Sequence, residues 1–389
     1  MNPATIDGTS VRLRKQGAGS DVAATVSLAG STATLNPDAD LDPGAVYTVT
    51  VAGSVEDQAG NPLGAPDSWS FTTAPLSFSS TDTTASDFGA GTPGPDTYVS
   101  EAGGGEVILK PTEGQEFSGG SLPAGWSSCA WPAGPLPSCT PGGSAVSGGS
   151  LHVDGAIAGT DASFGSGRSL EFIATFGAST FQHVGFGVDA NTSSAWAMFS
   201  TANTTNEIRA RTSSTAGGDV STTIPGISPG APHLYRVEWA TPTRVRYYVD
   251  GALVADHATG FDFGATQMRP IASDFSSGGQ ELSVDWLRMS PYQASGAFES
   301  RVIDAGQSVS WGALTWDSAA PSGTSIAMSV RTGDTANPND PGWSAFSPLG
   351  SSGADIPGNS RYLQYRAVLS TTDPDQRTPA LREVTVNSP

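Results

Sequence analysis

Lysine is almost absent from this sequence: Lys15 and Lys110 are the two in 389 residues. Only 14% of the residues are charged, and acids outnumber bases to a formal net charge of -19. A surface that negative repels phosphate backbones and anionic lipid headgroups, so nucleic acid is not an expected partner. No run of 18 apolar residues occurs, and no membrane span is expected. The opening MNPATIDGTS has neither the basic start nor the apolar stretch of a secretion signal. Four histidines without metal-like spacing argue against zinc. Also missing are a Gly-x-Ser-x-Gly elbow, a His-Glu-x-x-His helix, a phosphate loop and a dinucleotide fingerprint.

What the chain does have is turn chemistry and alternation. Gly (48) and Pro (28) together make up about a fifth of it, which excludes a long helical bundle. The apolar stretches are short and alternate, as in VYTVTV, SLEFIATF, LYRVEW, LSVDWLRM and YLQYRAVL. Period two means strands, and clusters of Gly, Pro, Asn, Asp and Ser separate them. The expected fold class is all-β, and the length calls for more than one core. The two cysteines, Cys129 and Cys139, bracket CAWPAGPLPSC. A disulfide is the expected state, two buried thiols the competing one, and a bridge implies an oxidising, extracellular or cell-surface setting.

Three resemblances organise the chain into β-sandwich domains. In the first 74 residues a Pro43-Gly44 turn leads into an alternating strand. The turn Asp57-x-x-Gly60-Asn61-Pro62-Leu63 and the strand Trp69-Ser70-Phe71 follow. This order resembles bacterial immunoglobulin-like domains of surface-layer and adhesin type. The family normally has strands before a turn like Met1-Asn2-Pro3, so the sequence is expected to begin inside the domain and to leave a sheet edge exposed. Residues 75–94, rich in Ser, Thr, Asp and Gly, read as a linker.

Residues 113–292 resemble a concanavalin A-like jelly roll of the family sixteen glycoside hydrolase and laminin G-like superfamily. The resemblance rests on His233-Leu-Tyr-Arg-Val-Glu-Trp239, on Arg244-Val-Arg-Tyr-Tyr-Val-Asp-Gly251, and on Leu282-Ser-Val-Asp-Trp-Leu-Arg-Met289. Residues 293–389, from Phe298-Glu-Ser-Arg-Val-Ile-Asp-Ala-Gly306 to LREVTV, resemble a small sandwich appended to secreted polysaccharide-active and surface proteins. Gly105-Glu-Val-Ile-Leu109 has the form of that sandwich's first strand. Residues 95–112 are therefore expected to belong to it, with the jelly roll inserted.

In the hydrolase family two carboxylates on one strand face flank the glycosidic oxygen, about 5–5.5 Å apart. The strands that could carry them, HVGFGVDA, AWAMFST and NEIRART, hold no such acidic pair. Alternation places Val184, Phe186 and Val188 toward the core and His183, Gly185, Gly187 and Asp189 on the other side, where the glycines would leave room for a ligand. The expected ligand site joins His183, Trp196, Arg209, Arg269 and Asp274. Each has a competing role: core packing for Trp196, a satisfied sheet histidine for His183, a pair with Glu207 for Arg209, and a mutual pair for Arg269 and Asp274.

The resemblance also implies a structural calcium at Asp285, and otherwise no cofactor. The function expected is polysaccharide binding without catalysis. A polysaccharide-cleaving hydrolase or lyase, and a structural or adhesive module, are the alternatives. A monomer or a part of a larger surface protein is expected.

Overall fold

The computed structural model describes residues 1–389 except 75–76, 132–135, 190–193, 215–217, 259–261, 376 and 389. Almost every element is a strand. Among the described residues no helix is long and apolar enough to cross a membrane.

In the N-terminal unit, Val11–Lys15, Val46–Val51 and Asp67–Thr72 form an antiparallel sheet, faced by the hairpin Ala24–Ala29 and Thr32–Pro37. Leu13 and Tyr47 are buried between them. The Asp57 carboxylate accepts bonds from the Ala59 and Asn61 amides and the Asn61 side chain, which closes the Asn-Pro-Leu turn. All six residues of Asp67–Thr72 are exposed at the sheet edge, with Trp69 52% accessible. Beside it a groove of about 600 Å³ is lined by Val11, Leu13, Leu35, Val51, Trp69 and Phe71.

The expected linker does not exist as such. Phe78–Asp82 pairs with Ala380–Ser388 near the other end of the chain, and Thr92–Pro93 pairs with Ser295–Glu299. Between them a short helix, Ala85–Gly89, is capped reciprocally by Thr84 and Asp87 and buries Phe88 completely. Composition misled here because this strand pairs through hydroxyls, Thr81 with Thr385 and Ser388 to the Phe78 amide. Its one buried polar residue, Asp82, accepts from Arg301 and the Tyr365 hydroxyl. Gly91 is required where it stands, since a Cβ would lie 2.5 Å from the Glu299 carbonyl oxygen.

Thr97–Ser100 pairs with Glu106–Leu109, which pairs in turn with the final strand. The C-terminal sandwich is thus two six-stranded sheets built from segments on both sides of the central domain. Val107, Ile108, Leu363, Tyr365, Leu381 and Val386 are in its core.

The central domain is a two-sheet jelly roll. The eight-stranded sheet runs Ser144–Ser147, Ser150–Val153, Leu282–Tyr292, Arg168–Thr175, Pro232–Thr241, Arg244–Val249 and Ala252–His257, with Pro111–Gln115 also pairing Leu282–Tyr292. The seven-stranded sheet runs Trp126–Ala130, Ala156–Thr160, Arg269–Asp274, Gln182–Gly187, Trp196–Ser200, Arg209–Ser213 and Asp219–Thr223. Phe172, Phe186, Phe199, Tyr235, Trp239 and Tyr247 fill the space between the sheets. Asp250 and Gly251 both have positive φ, 49° and 81°, as the two-residue hairpin turn demands.

Chain enters and leaves this domain through one paired crossing. Pro111 faces Tyr292, and Tyr292 reaches into the C-terminal core. Beside the crossing, Arg288 of the jelly roll bonds Glu106 of the other sandwich at 2.8 Å, with both side chains buried. Burial alone would lower the Arg288 guanidinium, but the Glu171 and Glu106 carboxylates and the Tyr292 hydroxyl raise it above its ordinary value. It stays charged.

Candidate functional site

The seven-stranded sheet turns one face to the core and the other outward, and its register arranges the outward residues in rows. Cross-strand partners share a face, and successive rows lie about 7 Å apart. One row reads Ile157, Ser273, His183, Ser200, Arg209 and Thr223. The next reads Gly159, Ile271, Gly185, Met198, Arg211 and Ser221. The third reads Arg269, Gly187, Trp196, Ser213 and Asp219.

Four of the five expected ligand residues are on this face, but not as one cluster. His183 and Arg209 share the first row, while Trp196 and Arg269 flank Gly187 in the third, about 13 Å away along the strands. Asp274 is on the other side. It follows Ala272 on the core-facing register and accepts from the Gln182 side chain and the Ser276 amide. Burial raises its carboxyl above the usual range, against the lowering effect of the Gln182 bond. Arg269 does not pair with it, and donates instead to the Thr160 and Asp161 carbonyls.

The middle of the face is filled. Met198 occupies the space over Gly185, and Ile271 that over Gly187, so neither glycine leaves the expected room for a ligand. Leu136, from the ring closed by the Cys129–Cys139 disulfide, packs above Gly159 in a cluster with Cys129, Ile157, Trp196, Met198 and Ile271. Trp196 is only 4% exposed and serves as packing. The Arg211 guanidinium covers it at 4.7 Å from the ring centroid and bonds Asp219. Arg209 is held by Glu207 at 2.8 Å.

The outward face of the three strands that could carry hydrolytic carboxylates therefore presents His183, Gly185 and Gly187, then Trp196, Met198 and Ser200, then Arg209, Arg211 and Ser213. None is acidic. Glu238, the acidic residue of the hairpin, accepts from Arg246 and Tyr248 of the eight-stranded sheet instead.

His183 is buried, yet its Nδ1 has no hydrogen-bond partner. Burial, reinforced by Arg211, pushes its pKa down to about 3 from 6.5. The imidazole is neutral at pH 7 and a weak base. Because the unfolded chain takes up this proton near pH 6.5, stability is fully present above that pH and is lost as pH falls toward 3. His257, held by Thr212 and Thr222, is depressed by burial in the same direction. Urea unfolding at pH 7.5, 6.5 and 5.5 should show jelly-roll stability falling, with a slope approaching ~1.4 kcal/mol per pH unit from His183 and a contribution of the same sign from His257. His183→Leu should flatten that slope; an unchanged slope would mean His183 titrates normally.

Asp285 accepts a bond from Ser150, and among the described residues no three His, Cys, Asp or Glu side chains gather as a metal would need. The carboxylate set ordinarily found around six to eight calcium oxygens is not assembled there.

Sequence reasoning missed the aromatic residues Trp131, Phe181 and Phe275, which extend the outward face beyond the His183 row. The signal was present: counting two residues back from His183 reaches Phe181, and two on from Ser273 reaches Phe275.

Residues 1–73 match the family model of a bacterial Ig-like domain. No curated protein matches the chain. Among solved structures, an immunostimulatory antigen and pseudo β-1,3-glucanase of Mycobacterium tuberculosis is 18% identical, with a TM-score of 0.36 over 46% of this chain and 98% of that one. A glycosyl hydrolase family 16 protein from Mycobacterium smegmatis is 15% identical, with a TM-score of 0.35 over 46% and 100%. The β-agarase A of Zobellia galactanivorans is 14% identical, with a TM-score of 0.34 over 45% and 88%.

Proposed function

We propose that this chain is an extracellular polysaccharide-binding protein whose jelly roll holds a glycan without hydrolysing it, the flanking sandwiches acting as spacers. The observation that carries this reading is the outward face of the seven-stranded sheet. Within the strands Gln182–Gly187, Trp196–Ser200 and Arg209–Ser213 the residues turned outward include arginines and serines and no carboxylate, with His183 and Trp196 buried among them. Of the acids beside it, Glu207 and Asp219 are each committed to an arginine and Asp189 accepts from Ser194. A disulfide fits an oxidising setting.

Two other readings each have an observation in their favour. Cleavage of a polysaccharide is favoured by the fold, on which hydrolases of family sixteen are built. Against it stand the missing acid pair and, for a lyase, a candidate base whose proton affinity burial has nearly abolished. A purely structural module is favoured by the filled middle of the face.

Affinity electrophoresis in gels cast with neutral and uronic polysaccharides, beside assays for new reducing ends and unsaturated products, separates the three. Retardation without products is expected. Products would replace this reading with cleavage, and neither signal would leave the structural module.

A further inference from the structure

Phe181, Phe275 and Trp131 form a continuous aromatic strip at one end of the outward face. Phe275 lies 5.8 Å from Trp131 and 5.9 Å from Phe181, centroid to centroid. Phe275 is 55% and Phe181 40% exposed, so these two rings are turned to solvent, while Trp131 is partly buried against the cluster of Leu136, Ile157 and Ile271. Backbone bonds fix it, from the Phe275 amide to the Phe181 carbonyl, from Phe181 to Ala202, and from Trp131 to Gly155. The Trp131 indole donates to Ser273 in the adjoining row.

Packing does not account for this arrangement. Phe181 sits at φ 60°, a left-handed conformation that is an outlier for a bulky side chain. Such strain persists where the surroundings over-determine it, and it concentrates at ligand clamps. Here the strained residue leaves two-fifths of its surface in water.

We propose that this strip is a stacking platform for a neutral polysaccharide chain. The proposal rests on the polysaccharide-binding reading and names the site and the ligand class within it. Phe275 is tilted 56° to Trp131 and 71° to Phe181, so the strip is not one flat surface, and each exposed ring face packs singly against the apolar face of a pyranose, whose equatorial rim carries hydroxyls. Charge selects the neutral class. The turn that carries Phe275 is held by carboxylates, Asp274 to the Ser276 amide and Asp154 to the Gly278 amide. Every arginine on the same face already has a partner: Glu207 for Arg209, Asp219 for Arg211, and two carbonyls for Arg269. Asp274 is buried on the core side, so of these two acids the partly exposed Asp154 is the one a uronate would meet, while Arg209 and Arg211 are already paired with carboxylates.

The test uses the whole chain, a soluble neutral β-glucan and polygalacturonate, and titration by affinity electrophoresis. Phe275→Ala and Phe181→Gly, the second of which also relieves the backbone, are compared with Trp69→Ala, an exposed aromatic of the N-terminal domain. Affinity for the β-glucan should drop about tenfold in each strip variant and stay unchanged in Trp69→Ala, with the thermal transitions of all three retained. Full affinity in both strip variants would overturn the platform and leave the polysaccharide reading standing. Preference for polygalacturonate would overturn the neutral assignment. A wild-type protein that binds neither polymer would overturn both.

Discussion

Replacing Arg288 with Met is expected to lower the stability of the joined jelly roll and C-terminal sandwich by about 3–5 kcal/mol. The size follows from what is left behind. Glu106 is 4% exposed, and without Arg288 its remaining guanidinium is Arg382 at 3.4 Å, on a side chain more than half in water. Glu171, 3.5 Å from Arg288, loses a partner as well. An uncompensated buried carboxylate has lost its hydration without a replacement charge, so the damage exceeds the net worth of the pair. The double variant Arg288→Met with Glu106→Leu should recover much of the loss, since a buried ion pair and a packed apolar pair are often nearly equivalent. Calorimetry is the suitable measurement, because a multidomain chain need not unfold in one step. A shift below ~1 kcal/mol in the single variant would mean that water reaches Glu106 and that the junction is looser than its geometry.

Removing the bridge with Cys129→Ala and Cys139→Ala should destabilise the jelly roll by about 2–3 kcal/mol, the value loop-closure entropy assigns to so short a ring. A local effect should accompany it. Leu136 is held over Gly159 and Ile271 by the ring, and Trp131 bonds Ser273 from its first turn. Freed from the bridge, this cover would release the apolar patch of Trp196, Met198 and Ile271 to solvent. Binding of an environment-sensitive dye should therefore rise well below the unfolding transition. A double variant with unchanged melting and no dye binding would show that side-chain packing alone keeps the ring in place.

Strands such as VYTVTV and LYRVEW were legible because they alternate over four or more residues and end in turns with their own chemistry, as at Asp250-Gly251. The pairing of Phe78–Asp82 was not legible. Its partner lies some 300 residues away, and hydroxyl pairs mark it no differently from a linker. For the site, it is the cross-strand register that brings His183, Trp196, Arg209 and Arg269 to one face, while period two orders the faces of each strand separately. The same rule separates Arg269 from Asp274, five residues apart on one strand, and should have excluded the latter. What alternation does not encode is occupancy. That Met198 and Ile271 close over the glycines depends on side chains from neighbouring strands, and the seat of Leu136 depends on where the disulfide ring comes down.

The architecture gives the proposed binding role a firm base. Incoming and outgoing strands pair at one crossing, and a buried ion pair bonds the two sandwiches beside it, so a load on the jelly roll passes to its neighbour through backbone bonds and charge together. The exposed edge and groove of the N-terminal unit lie outside this joint.

The central proposal, a jelly roll holding a glycan without hydrolysing it, is tested most directly by prolonged incubation with a neutral β-glucan in ¹⁸O-enriched water, followed by mass spectrometry. Glycoside hydrolysis places a water oxygen on the anomeric carbon of each new reducing end, the other new end keeping the glycosidic oxygen. The account predicts retention of the polymer by the protein and no ¹⁸O-labelled ends above a protein-free control. Labelled ends that accumulate with protein concentration would contradict it and require an acid pair assembled from elsewhere on the chain.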